Sequence, residues 1–252
     1  MSAWREPAGS VEQAEKTFWE QAAETRWGSY MTAHERKALV RAMSIAGGPG
    51  VSVEVGCEGG RWSKLLYEAG WRVVCTDVDA EALALCGRRL PEATCLLVEP
   101  EATTIPVGDG SARLVLVSEV APVSQSEWFP GEAARVLEQG GILVCTFYNP
   151  ASLRGLAYRG LRGLQRWRKG GTRFHEHYYS GPSYARFRKD LQRAGFRMLD
   201  QEGICWFPFS RQSDSPLIPI CTQIEARLGL RRLTALSPFV IAIAKKEPTD
   251  AV

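Results

Sequence analysis

The spacing of apolar positions changes period repeatedly along this chain. Val51–Val55 is a short β-rich apolar run, and Arg61–Ala69 carries its apolar residues at helical spacing up to Gly70. The same alternation predicts a strand over Arg72–Thr76, a helix over Ala80–Leu90 opened by Asp79 and stopped before Pro91, and strands over Thr94–Val98 and Arg113–Val117. A helix is predicted from Ser126 or Glu127 to Glu138. Gly140-Gly141 should break it before a strand over Ile142–Phe147. Upstream, Ser10-Val-Glu-Gln13 and Thr32-Ala-His-Glu35 read as capping boxes that open two helices, the second closed by Gly47-Gly48. Downstream, a helix over Ser183–Ala194, a β-like run over Met198–Phe207, a short helix within Ser215–Leu228 and an apolar strand over Pro238–Ala244 complete the pattern. Alternating units of this size predict a doubly wound α/β fold with a mostly parallel sheet covered on both faces, finished by an antiparallel hairpin.

Composition narrows the class. The 252 residues are 45% apolar and 23% charged, as in ordinary soluble domains, and a net charge of +3 is too small to argue for nucleic acid. No apolar run approaches the about 20 residues that span a bilayer, and the first residues hold no apolar signal segment, so a cytoplasmic protein is expected. Seven cysteines are scattered without a C-x-x-C pair; they are expected to be buried reduced thiols, with Cys57, in the glycine turn, the candidate for reactivity.

Strand, glycine turn, helix, strand and acid is how α/β proteins hold adenosine-containing cofactors. A dinucleotide site wants glycine at positions 56, 58 and 61. The chain has Gly56, Glu58 and Arg61, and Glu58 would set a carboxylate against a diphosphate. A sulfonium cofactor has no such conflict. Glu54-Val-Gly56-Cys-Glu58-Gly-Gly60 resembles the first motif of class I S-adenosylmethionine-dependent methyltransferases, in particular the ubiquinone/menaquinone-biosynthesis type, with Glu58 in place of one glycine. The next segments follow in the family's order. They are Val74-Cys-Thr-Asp77-Val78-Asp79, Glu101-Ala102 through Ser111, Leu116-Val-Ser118-Glu119-Val120, and Glu132 through Gly141. The resemblance spans about residues 50–150. Two positions depart from it: Ala112-Arg113 replaces the usual Phe-Asp, and no histidine follows the fourth strand.

The resemblance implies a Rossmann-like seven-stranded sheet with an antiparallel last strand. It also implies S-adenosylmethionine as cofactor and S-adenosylhomocysteine as product. Asp77 would accept the ribose hydroxyls, Glu101 would face the adenine amino group, and Ser118 and Glu119 would lie beside the reacting methyl. Tyr30, Glu54, Gly56, Glu58, Gly60, Val78 and Ala102 complete the expected cofactor shell. The expected organisation is lid helices over 1–48, a cofactor-binding core over 49–150, a basic helical cap over 151–182, and the end of the sheet with a second insertion over 183–247.

Methyl transfer from a sulfonium is an in-line displacement, and a base is needed only if the acceptor is protonated. His34, Tyr148, His175 and His177 are the candidate acid/base or acceptor-lining residues. His175 and His177 could chelate a metal, but no third ligand accompanies them, so no metal site is predicted. Residues 151–173 carry seven basic residues and no acid, with apolar residues at helical spacing. This segment reads either as a cap helix on the core or as a peripheral contact with anionic membrane. The acceptor is expected to be a small molecule or lipid-like. A degenerate methyltransferase fold that only binds, and an NAD(P)-dependent oxidoreductase, are the competing readings.

Overall fold

A computed structural model describes residues 16–159 and 181–248. Seven strands form one sheet in the order β3-β2-β1-β4-β5-β7-β6. The strands are β1 (Val51–Val55), β2 (Arg72–Asp77), β3 (Thr94–Leu97), β4 (Ala112–Val117), β5 (Leu137–Tyr148), β6 (Phe196–Ile204) and β7 (Phe239–Lys246). β1 to β5 pair in parallel, and β7 runs antiparallel to both β5 and β6. The doubly wound sheet with an antiparallel last strand is therefore the observed architecture.

The sheet is covered on both faces because its central strands bury apolar side chains on both sides. Along β4, Val115 and Val117 belong to one core cluster, with Phe129 and Phe187, while Leu114 and Leu116 belong to the other, with Trp62 and Leu66. The helices that supply these layers are α3 (Arg61–Glu68), α4 (Ala80–Arg89), α5 (Ala121–Ser124), α6 (Phe129–Val136) and α8 (Tyr184–Arg193). A helical segment at 153–159, α7, follows β5, and α9 (Ile218–Arg227) lies between β6 and β7.

Two helices precede the sheet, as expected, but with different starts. α1 (Phe18–Glu24) is capped by Thr17 with Glu20 closing the box, and α2 (Arg26–Ile45) is capped by Thr25. The Thr32-to-Glu35 box is thus not a cap. Thr32 sits inside α2 and its hydroxyl accepts from Arg61 Nη1 at 3.0 Å. The box at Ser10 lies outside the described residues, as do His175, His177 and residues 160–173 of the basic segment. The predicted helix over 126–138 is also corrected. It is shorter, running as α6 over Phe129–Val136 with the separate turn α5 before it, and β5 begins at Leu137, so Gly140 and Gly141 lie within the strand. Gly140 adopts φ 78°, and the register with β4 shifts between the Ala112 and Leu114 pairings, so a bulge carries the chain through. Among the described residues no helix is long and apolar enough to cross a membrane.

Candidate active site

The glycine turn after β1 folds over the carboxyl ends of β1 and β2, the edge where open α/β sheets bind ligands. Gly56 has φ 74°, and a Cβ there would fall 2.4 Å from Val120 Cγ2. Glu58 itself adopts φ 50°, the left-handed region that a glycine would normally fill. The strain sits on Glu58, and Gly59 is not among the left-handed residues. Two contacts hold Glu58 there. Its N–H donates to Asp77 Oδ2 at 2.7 Å, and its carboxylate lies 3.5 Å from Trp19 N–H in the first turn of α1. Arg89 clamps the same region, donating to Glu20 and to the Gly59 carbonyl.

Beneath α1 opens a cleft of about 400 Å³. Of the expected cofactor shell, Glu54, Gly56, Glu58, Asp77, Val78, Ala102, Ser118 and Glu119 line it. Gly60 is buried behind the loop against Cys86, and Tyr30 packs away from the cleft, its hydroxyl donating to Glu225. Glu101 is exposed and does not line the cleft, whereas Glu99, two residues earlier, does. Both carboxylate oxygens of Asp77 are fixed by backbone donors. Oδ1 accepts from Asp79 N–H at 3.0 Å while Oδ2 accepts from Glu58. The lining acids are Glu54, Glu58, Asp77, Asp79, Glu99 and Glu119, and the lining cation is Arg61. Such a donor set suits a cationic, phosphate-free adenosine cofactor and repels a diphosphate.

Two charged residues that line the cleft, Arg61 and Glu119, meet two that do not, Glu35 and Arg211, and the four come from separate segments. Arg211 Nη1 donates to Glu119 Oε2 at 2.5 Å, and Tyr148 Oη donates to the same oxygen at 3.2 Å. Arg61 Nη2 lies 3.6 Å from Glu35 and 3.7 Å from Glu119, and Arg211 Nη2 lies 4.0 Å from Glu35. Within this group four buried atoms have no hydrogen-bond partner among the described residues: Glu35 Oε2, Glu119 Oε1, Arg211 Nε and Arg211 Nη2. Buried polar atoms are rarely left unpaired unless a ligand or water completes them. Glu119 also carries φ 63°, fixed by its N–H to Thr146 Oγ1, which is the kind of local strain that collects at working sites. Burial, reinforced by Glu119, pushes the Glu35 carboxyl well above the usual carboxylate range. Glu35, Arg61 and Arg211 were not among the sequence candidates; Glu119 and Tyr148 were.

His34 does not line the cleft. Its ring packs on Tyr30 and its Nδ1 lies 2.9 Å from Glu202. Cys57 is also corrected as a reactive thiol: it is 2% exposed, and hydrogen bonding with Cys75 and Cys86 together with burial raises its pKa. Cys57, Cys75 and Cys86 place their sulfurs within 4.8 Å of one another. The Cys75 and Cys86 sulfurs are 3.5 Å apart, closer than the about 4.0 Å that three 2.3 Å metal–sulfur bonds impose in a plane, so the group packs as thiols.

Glu54 is fully buried at the base of the cleft, where Ser63 Oγ donates to it, and burial pushes its pKa up to about 8. A carboxyl whose folded pKa lies above its unfolded value binds more protons when folded. Stability is therefore lost as pH rises from about 5 to about 8, by at most about 1.4 kcal/mol per pH unit. Glu54→Gln keeps the acceptor for Ser63 and removes the titration. Urea unfolding at pH 6 and pH 8.5 should show a smaller loss of stability in the variant than in the parent; equal losses would remove Glu54 as the cause.

Residues 53–145 match the methyltransferase domain family. No curated protein matches the chain. Solved structures share the fold at low identity. A putative S-adenosylmethionine-dependent methyltransferase from Listeria monocytogenes is 16% identical, with 86% of this chain and 98% of that one covered and a TM-score of 0.57. A 1,6-didemethyltoxoflavin-N1-methyltransferase from Burkholderia thailandensis, solved with its acceptor and S-adenosylhomocysteine, is 14% identical over 97% of this chain and 94% of that one, with a TM-score of 0.53. The [4+2]-cyclase SpnF is 17% identical over 86% and 82%, with a TM-score of 0.58.

Proposed function

We propose that this S-adenosylmethionine-dependent methyltransferase, with its methyltransferase domain over residues 53–145, delivers the methyl group to a small or lipid-like acceptor held against Glu119 and Arg61 in the cleft. The observation that carries the reading is Glu119, which lines the same cleft as Asp77 and whose buried Oε1 makes no hydrogen bond, with Arg61 Nη2 3.7 Å away. S-adenosylmethionine, when bound, supplies an activated methyl group, so what falls to the protein is alignment and proton handling.

Asp77 takes the ribose hydroxyls, Val78 and Ala102 form apolar walls, and Glu99 replaces Glu101 at the adenine edge. Arg61 lines the same cleft, and its charge is balanced by Glu35 and Glu119. Glu119 is the acceptor-side base. Arg211 and Tyr148 both donate to Oε2 and orient the carboxylate, which leaves Oε1 to take a proton from the acceptor. Tyr148 is a positioning residue. His34 acts through Glu202, outside the reacting centre. His175 and His177 remain candidate acceptor-side residues by sequence.

The test is a paired measurement. S-adenosylhomocysteine should raise the melting temperature and NAD(P) should not. With labelled cofactor and fractionated cell extract, label should move to an acceptor, and Glu119→Gln should slow that step by about 10²-fold or more while keeping the thermal shift. Stabilisation without any label transfer would favour a fold turned to other chemistry, of which the cyclase neighbour is a precedent by name.

A further inference from the structure

Thirteen large apolar side chains are exposed among the described residues, and six of them fall within residues 217–236: Leu217, Ile220, Ile224, Leu228, Leu233 and Leu236. Scatter would not concentrate them so. The first four are spaced three, four and four residues apart, which sets them on one face of α9 and its flanks. They are well displayed, with Ile220 57% and Leu228 68% exposed. A neighbouring face of the helix is anchored. Ile218 is buried, and the buried Glu225 accepts from Tyr30 Oη, Trp206 N–H and Arg231 Nε. The stripe is therefore held outward by a fixed helix.

Charge decides what would cover it. Between Ser215 and Lys246 the one acidic residue is Glu225, which is 0% exposed. Arg227 and Arg232 are exposed beside the stripe, and a groove joins them to Lys37 and Arg41 of α2; its two acids, Asp200 and Glu202, are paired with Arg41 and with His34 and Arg231. A second copy packed by two-fold symmetry would bring these arginines towards their own counterparts, and the one exposed acid on the insertion, Asp214, is already engaged by the N–H of Arg26. An apolar stripe rimmed by cations is matched by an anionic bilayer surface, where the side chains enter the acyl boundary and the arginines meet headgroups. The insertion also begins after Ile204 and ends before Phe239, which pairs with Tyr148. It thus springs from the edge of the sheet that carries Glu119.

We propose that the insertion between β6 and β7 is a membrane-docking surface for anionic lipid, with α9 as the interfacial helix. This does not depend on which acceptor is methylated.

Flotation of the full-length protein with vesicles of phosphatidylcholine alone, or of phosphatidylcholine mixed with phosphatidylglycerol, tests it. The parent should float with the anionic vesicles and lose binding at high salt. Arg227→Glu with Arg232→Glu, and separately Ile220→Asp, should each lower the bound fraction by about tenfold or more. All are surface changes, and an unchanged thermal shift with S-adenosylhomocysteine certifies the fold. Equal flotation with neutral vesicles overturns the proposal. So does anionic binding that survives the α9 variants but is lost on neutralising Arg166, Arg168 and Lys169. A concentration-dependent dimer that Ile220→Asp dissolves, with no vesicle binding, assigns the face to a second copy instead.

Discussion

Asp77→Ala is expected to weaken S-adenosylhomocysteine binding by about 100-fold or more, roughly 3 kcal/mol, while the protein stays folded. Two losses combine. The ribose hydroxyls lose a charged acceptor, and a hydrogen bond to a charged group is worth about 1.5–3 kcal/mol. The loop also loses its tether, because Asp77 accepts the N–H of Glu58 and that contact helps hold a non-glycine residue at φ 50°. Asp77→Asn separates the two. Its amide oxygen can still accept from one backbone N–H, but the second position becomes a donor facing Glu58 N–H. An intermediate affinity is expected for it. Calorimetric titration gives the affinities, and an alanine variant that binds as tightly as the parent would refute the ribose assignment.

The alternation of strands and helices was legible because each central strand is a short apolar run closed by glycine or an acid, and the register then follows from burial on both faces. β1, β2, α4 and β4 show this most clearly. Capping was less legible. Thr32 and Glu35 have the spacing of a capping box, yet the same spacing places two residues on one face inside a helix. There Thr32 meets Arg61, and Glu35 points at buried charge. Gly140-Gly141 looked like a break because glycine usually is one. Leu137 is fully buried and paired with Ala112, so the strand starts earlier and a bulge absorbs the left-handed Gly140.

The site divides in the same way. Asp77 and Gly56 could be found because they stand next to each other in a local motif, as strand end and turn. Glu35, Arg61, Glu119 and Arg211 come from four distant segments, and only the chain path brings them together. Arg211 offered no local signal beyond being a charge in an aromatic and serine-rich loop. Glu99, two residues before Glu101, lines the cleft, and a loop without period gives no register that would single it out.

Arg211→Leu is expected to destabilise the protein by about 3–5 kcal/mol at neutral pH, the cost of leaving a buried charge without its partner. The Arg211 side chain is only 12% exposed and those of Glu119 and Glu35 only 7% and 3%, so solvent cannot replace the lost cation. Arg61, at 3.6 and 3.7 Å, would remain to balance two carboxyls. One of them must then take up a proton, and Glu35, already pushed upward by burial, is the one that does. This gives the variant a distinct pH signature. Its folded state binds more protons than its unfolded state up to a higher pH than in the parent. Its deficit should therefore shrink as pH falls towards 5 and widen as pH rises towards 8. A purely steric defect would not move with pH. Pairing Arg211→Leu with Glu119→Gln removes both members of the closest ion pair, so the double variant should lose less stability than the two single losses added together. Denaturant unfolding of the four proteins at pH 5.5 and pH 8 measures all of these quantities. A deficit below about 1 kcal/mol, equal at both pH values, would mean that Arg211 reaches water in solution and the four charges are not the buried unit that positions Glu119.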